Sequence, residues 1–244
     1  MVKTRSIMNT GPYNESLLRT FRIIGVILPV LMLWNGVADM IYGYASTLSG
    51  MGYYTMKVWD VIRTAGGRPH SVVMLAQTAG WLYPIFALTY YLWWVGMRKV
   101  GFWQGTFPNL LMVYAVLMIG GTQHADWAYL SVLSQAQALV GSHDPAFYHT
   151  ASRFIVQNFF WGDLTTLLAF FVGSYWHMVT ILKGKTLFPR WFAILSPGGI
   201  LTIIMIVGAF INAPVAGLVL APFGTWYMLV PTVAKTVWLW NRVE

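Results

Sequence analysis

With 57% hydrophobic and 9% charged side chains over 244 residues and a mean hydropathy of +0.61, the chain has too little polar surface to clothe a soluble domain, which carries about 25% charge. The net charge of +8 comes from basic residues that flank apolar runs instead of gathering in one patch, which excludes a nucleic-acid surface and points to membrane topology and anionic lipid. The absence of cysteine excludes disulfides, thiolate metal sites and cysteine nucleophiles.

The first twenty residues are polar, with Lys3, Arg5, Glu15 and Arg19 and no apolar core or small-residue cleavage site, which argues against a cleaved signal peptide. Apolar runs near the ~20 residues that cross a bilayer then recur at about 20–44, 71–97, 107–133, 152–182, 190–211 and 214–240. They are continuous, unlike the alternating strands of a barrel. The predicted fold class is therefore an all-α integral membrane protein, a bundle of about six transmembrane helices forming one polytopic domain over 1–244.

Lys3, Arg5, Arg19 and Arg22 precede the first run, Arg98 and Lys99 follow the second, and Lys183, Lys185 and Arg190 follow the fourth. Six spans put all of these on one side, so the positive-inside rule predicts cytoplasmic N- and C-termini in a multi-pass protein of the plasma membrane, or the inner membrane of a bacterium. Lys57, Arg63 and Arg68 on the opposing loop reduce the contrast. In that loop, about 46–70, Met51, Tyr54, Val58 and Ile62 fall at helical spacing and predict an interfacial segment. The connection over about 134–151, with His143, Asp144, Pro145 and His149, reads as a turn between helices. Pro29, Pro84, Pro197, Pro222 and Pro231 predict kinks, and Gly120–Gly121 and Gly198–Gly199 predict close helix approach. Trp93, Trp94, Trp103, Trp238 and Trp240 read as an interfacial belt, His177 as an interfacial or packing residue, and Lys235 as a lysine that snorkels to the inner face.

Asp39, Asp126 and Asp163, three of only seven acidic residues, fall inside predicted spans, where an aspartate at mid-helix costs about 2.5–3.5 kcal/mol. At a rise of about 1.5 Å per residue, Asn35, Asp39, His124, Asp126, Asn158 and Asp163 all lie in the outer half of the membrane. This predicts a polar pocket between the first, third and fourth spans, open to the extracytoplasmic side. Asn35 and Asp39 share a helix face, whereas His124 and Asp126 are about 200° apart and do not. Gln77, Trp81 and Tyr83 from the second span, with Tyr129 and Trp161, are expected as further lining.

Carboxyls desolvated among aromatic rings stay protonated and can donate protons to a lipophilic group, while a second carboxylate or an imidazole takes a proton back. The preferred expectation is a membrane-embedded enzyme doing acid–base chemistry of the cyclisation, isomerisation or hydration type. Its catalytic residues would be Asp39, His124, Asp163 and Asp126, and Asn35, Gln77, Trp81, Tyr129, Asn158 and Trp161 would bind the substrate. That substrate would be a lipophilic small molecule such as an isoprenoid or lipid. No cofactor is predicted, although Asp39, His124 and Asp163 would suit a divalent cation. Two alternatives stand beside it: a proton- or cation-coupled small-molecule transporter, and an accessory subunit of a larger membrane complex. Membrane lipids are the expected surroundings, and nothing in the sequence specifies an oligomeric state.

Overall fold

The computed structural model describes residues 12–48, 71, 75, 78, 81–118, 145–211 and 223–240, with side chains at all of these except 12–14, 42–48, 145–160, 163 and 223. The described residues are helices joined by turns, with no strand among them.

Helix α1 (Pro12–Leu48) opens on a proline, which needs no backbone donor at a first helical position, and carries Glu15 against the positive end of its dipole. It runs through Leu48, so the segment expected from residue 46 begins inside it; residues 49–70 lie outside the described residues. The second apolar run is broken into α2 (Tyr83–Phe86) and α3 (Thr89–Val95). Pro84 falls in the first turn of α2, where its missing backbone donor is tolerated, just after the turn at 81–82 that interrupts the run. A 3-10 turn (Arg98–Val100), Gly101 at φ 93° and a π-helical turn (Phe102–Thr106) lead into α4 (Phe107–Met118). Only glycine adopts that φ without strain.

Helix α5 (Pro145–Leu182) begins earlier than the expected connection over 134–151 allows. Pro145 initiates the helix and His149 lies within it, because a proline at the first position is preset for helix and not only for turn. Helix α6 (Pro197–Gly208) is capped by Ser196, whose Oγ accepts from Gly199 N at 3.3 Å, so Pro197 also marks a start. At twelve residues it is about 18 Å long, too short to cross a bilayer as a straight helix. Helix α7 (Phe223–Leu239) holds Pro231 inside it. Residues 119–144 and 212–222, with Gly120–Gly121 and Pro222, lie outside the described residues.

The helices close a ring of neighbours: α1 on α7, α7 on α6, α6 on α5, α5 on α4, α4 on α3 and α3 back on α1, with α3 also against α7. The α1–α7 register is legible in two glycines. A methyl on Gly25 would collide with Thr236 Cγ2, and one on Gly36 would stand 3.0 Å from Thr225 Cγ2. Both pairs are eleven residues apart, three helical turns, which makes the helices antiparallel along one seam. Gly198 likewise lets α6 approach α5, since a methyl there would lie 2.7 Å from the Ser174 carbonyl oxygen. Gly25→Leu is expected to cost about 1–3 kcal/mol through overpacking. Thermal unfolding of the purified protein checks this, with Val26→Leu on the exposed face as the neutral comparison.

Among the described residues, two stretches, Glu15–Ile41 and Leu164–Leu182, are long and apolar enough to cross a membrane. Their outward faces are greasy: Ile23, Val26, Ile27, Val30, Leu33 and Val37 on α1, and Leu167, Leu168, Phe171, Val172 and Val179 on α5, are exposed. The interior holds Asn35, Asp39, Asn109, Ser174, His177, Thr225, Thr232 and Lys235, all buried. Several hydroxyls are met inside their own helices, with Thr232 donating to the Met228 carbonyl at 2.6 Å and Thr180 to the Trp176 carbonyl at 2.9 Å.

Among the described side chains, Arg19, Arg22, Arg98, Lys99, Lys183, Lys185 and Arg190 collect at one end. There Leu187 N donates to the Gly96 carbonyl at 3.0 Å, Trp238 Nε1 to the Leu187 carbonyl at 3.0 Å, and Arg22 to the Trp240 carbonyl at 3.1 Å. These bonds draw together the start of α1, the end of α3, the 183–190 turn and the end of α7.

Candidate functional site

A column of buried polar groups runs through the bundle between its two ends. At the end far from the basic residues, Asn35 and Asp39, four apart on α1, face α7 and the second apolar run. Asn35 Nδ2 donates to Asp39 Oδ2 at 2.9 Å and to Thr225 Oγ1 at 2.6 Å. The Tyr83 hydroxyl stands beside both Asn35 and Asp39. Asn35 Oδ1 is buried with no hydrogen-bond partner, a condition that costs about 1–3 kcal/mol when nothing meets it.

Tyr83 and Tyr90 are seven apart, two turns along the same face, and Tyr90 stands next to Tyr227 on α7. The Tyr227 hydroxyl lies 2.6 Å from Ser174 Oγ, which also donates to the Phe170 carbonyl at 2.5 Å. Rings wall this stretch: Tyr90 and Trp93 meet edge to face at 4.6 Å, and Phe170 and Tyr227 at 4.4 Å.

One turn further along α5, His177 Nε2 lies 2.5 Å from Lys235 Nζ, and His177 Nδ1 lies 3.2 Å from Asn109 Oδ1. The network assigns the tautomer. Asn109 Nδ2 is committed to the Gly105 carbonyl at 2.7 Å, so its Oδ1 faces the imidazole and must accept from Nδ1–H. Nε2 is then the ring's acceptor, and a single proton occupies the contact with Lys235. The lysine amine lies over the faces of Trp93 at 4.7 Å and Phe188 at 5.1 Å, within cation–π range.

One expectation is corrected here: Lys235 does not snorkel but is fully buried, because it lies on the face of α7 turned toward α5 while Val233 and Val237 take the outward positions. His177, read as interfacial or packing, is the packing residue, fully buried against Trp93. Phe188, held by the turn that bonds to Gly96, closes the pair off from the end of the bundle.

Of the residues expected at the site, Asn35 and Asp39 are brought together, and their described partners come from α7 and the second run, not from α4 or α5. Trp81 and Trp161 turn outward, 80% and 73% exposed, so neither walls an inner pocket. Gln77, His124, Asp126 and Tyr129 lie outside the described residues, as do the side chains of Asn158 and Asp163, although the backbones of these two are in α5. Among the described residues no three His, Asp or Glu side chains converge on a metal-sized point.

Sequence reasoning passed over Lys235, His177, Asn109 and Tyr227. The available signal was that two ionisable residues sat within apolar runs on different helices, which is the condition for mutual pairing. Comparison with protein-family models, curated proteins and solved structures finds no match to this chain, so the functional reading rests on the chemistry of the column.

Proposed function

We propose that the chain is a multi-pass membrane protein whose bundle acts as a proton- or cation-coupled carrier of a small molecule. Its apolar exterior, over an apolar core that encloses a few buried polar groups, suits a bilayer as solvent. Six spans remain the proposed count, with the basic end in the cytoplasm and membrane lipids around the exposed face.

The observation that carries the coupled-transport reading is the column itself. Ionisable groups stand at two levels, Asp39 with Thr225 at one and the His177–Lys235 pair at the other, and hydroxyls lie between them. Thr225 and Lys235 are separated by roughly 15 Å along α7. An acid–base enzyme needs its donor and acceptor at one reacting centre, whereas groups spread along the bundle suit stepwise passage of charge. The enzyme reading and its isoprenoid-like substrate depend on His124, Asp126 and Asp163, none of which has a described side chain.

In the proposed cycle the His177–Lys235 contact holds one proton. Tyr227, next to Tyr90, is the hydroxyl that would accept a proton on oxygen and release its own, passing charge toward Tyr83, while Ser174, whose hydrogen is held by the Phe170 carbonyl, positions the Tyr227 oxygen. Coupling follows if substrate occupancy changes the free energy of that proton, since linkage between two ligands is reciprocal.

The test is charge movement. Protein reconstituted on a solid-supported membrane is exposed to jumps of amino acids, organic acids, sugars and amines, with and without a pH step. At least one class is expected to give transient currents that His177→Leu/Lys235→Met lacks. Silence toward every class, equal to protein-free membrane, would overturn the proposal.

A further inference from the structure

We infer that the turn over residues 183–190 is the headgroup site for one anionic glycerophospholipid, whose acyl chains lie on the outward face of α5; the inference rests on the membrane placement proposed above and not on the carrier reading.

The backbone gathers like charges. Gly184 sits at φ 72°, a left-handed conformation that turns the chain back after α5, and Lys183 and Lys185 flank it. Arg190 returns across the same turn: a methyl on Gly184 would stand 2.8 Å from Arg190 Nε, so the arginine lies over the glycine that separates the two lysines. The turn is anchored on two sides, with Leu187 N bonded to the Gly96 carbonyl and Trp238 Nε1 to the Leu187 carbonyl. Three cations held within one anchored turn repel one another, and an anion among them relieves that repulsion. All three side chains are exposed. Among the described residues the carboxylate at this end is Glu15, in the first turn of α1, and it forms no ion pair with any of the three. The sequence holds no acid between Asp163 and Glu244, nor between Asp60 and Asp126, the stretch whose Gly96 receives the turn.

A guanidinium fork with two ammonium groups is a donor set for a phosphodiester. The surface beside it makes that phosphate a lipid's. Leu182, Val179 and Val172 form an exposed stripe along α5 that starts at the residue before Lys183 and spans about 15 Å, half of a hydrocarbon core of about 30 Å. Trp191, next to Arg190, is exposed and braced edge to face on Trp238 at 6.0 Å, as an indole at headgroup level would be. Three cations around one phosphate leave positive charge that repels a choline group, so the lipid is an anionic one.

In the experiment the full chain in uncharged detergent is titrated with phosphatidylglycerol, with phosphatidylcholine of the same acyl chains, and with inorganic phosphate at constant ionic strength. Native mass spectrometry counts bound lipid, and the thermal midpoint reads its effect. One phosphatidylglycerol per chain is expected to be retained and to raise the midpoint saturably, with phosphatidylcholine binding roughly tenfold more weakly. Lys183→Gln/Arg190→Gln should lower the affinity about twenty-five-fold, at about fivefold per charge, whereas Arg19→Gln/Lys99→Gln, which removes as much charge from exposed positions at the same end, should leave it within about twofold. Equal affinity for the two lipids, equal loss in the two double variants, or inorganic phosphate matching the lipid would overturn the site alone. A chain that stays monodisperse without detergent would overturn the membrane placement and the site with it.

Discussion

Replacing His177 alone with leucine is expected to destabilise the protein by about 3–5 kcal/mol, while His177→Leu combined with Lys235→Met regains most of that loss and still gives no coupled current. The single change removes the His177 acceptor and leaves the Lys235 amine against the Trp93 and Phe188 rings. The double change replaces two polar groups by side chains of similar bulk that need no partner. A buried pair of this kind contributes little net stability against an apolar substitute, and much of its apparent worth is the penalty for breaking it on one side. Chemical denaturation of the purified variants separates the two roles. If the double variant were as unstable as the single one, the pair would be a structural clamp with no separable function. If it were stable and kept full currents, the pair would be outside the transport route.

Tyr227→Phe is expected to cost only about 1 kcal/mol in stability yet to lower coupled currents about a hundredfold. The stability cost is small because Ser174 keeps its bond to the Phe170 carbonyl, and the phenyl ring keeps its contacts with Phe170 and Trp93. The effect on flux is large because the lost oxygen is the one that joins α7 to Ser174 in the middle of the column. Thr232→Val is the matched control: its hydroxyl is spent on the Met228 carbonyl of its own helix, so currents should persist. Parity of the two variants would show that the hydroxyls of the column do not carry charge.

The outer group was readable from one helix, because Asn35 and Asp39 are four apart and an acid deep in an apolar run must be met by something. Close approach at Gly198 was readable for the same local reason. The His177–Lys235 pair was not. Each residue lies within a few turns of a helix end, where an isolated helix would let a lysine reach polar headgroups, and only the juxtaposition of α5 and α7 across 58 residues of sequence turns them toward each other. Thr225 and Tyr227 were hidden for a related reason, since which face of α7 meets α1 is set by the eleven-residue spacing of Gly25 and Gly36 against Thr236 and Thr225, a register that needs both helices to be seen. Pro197 was misjudged because an apolar run carries no mark of where its helix begins, and a proline that would kink a long helix is harmless in the first turn of a new one.

Coupled transport along the column requires one proton held between His177 and Lys235. Nitrogen-15 NMR of histidine- and lysine-labelled protein in bilayers reads that proton, with His177→Leu and Lys235→Met supplying the assignments. The expected spectrum is that of a neutral His177 ring protonated at Nδ1, with Nε2 accepting from the Lys235 amine and exchanging slowly with water. An Nε2-protonated ring, or a Lys235 signal of a freely rotating solvated ammonium, would contradict it.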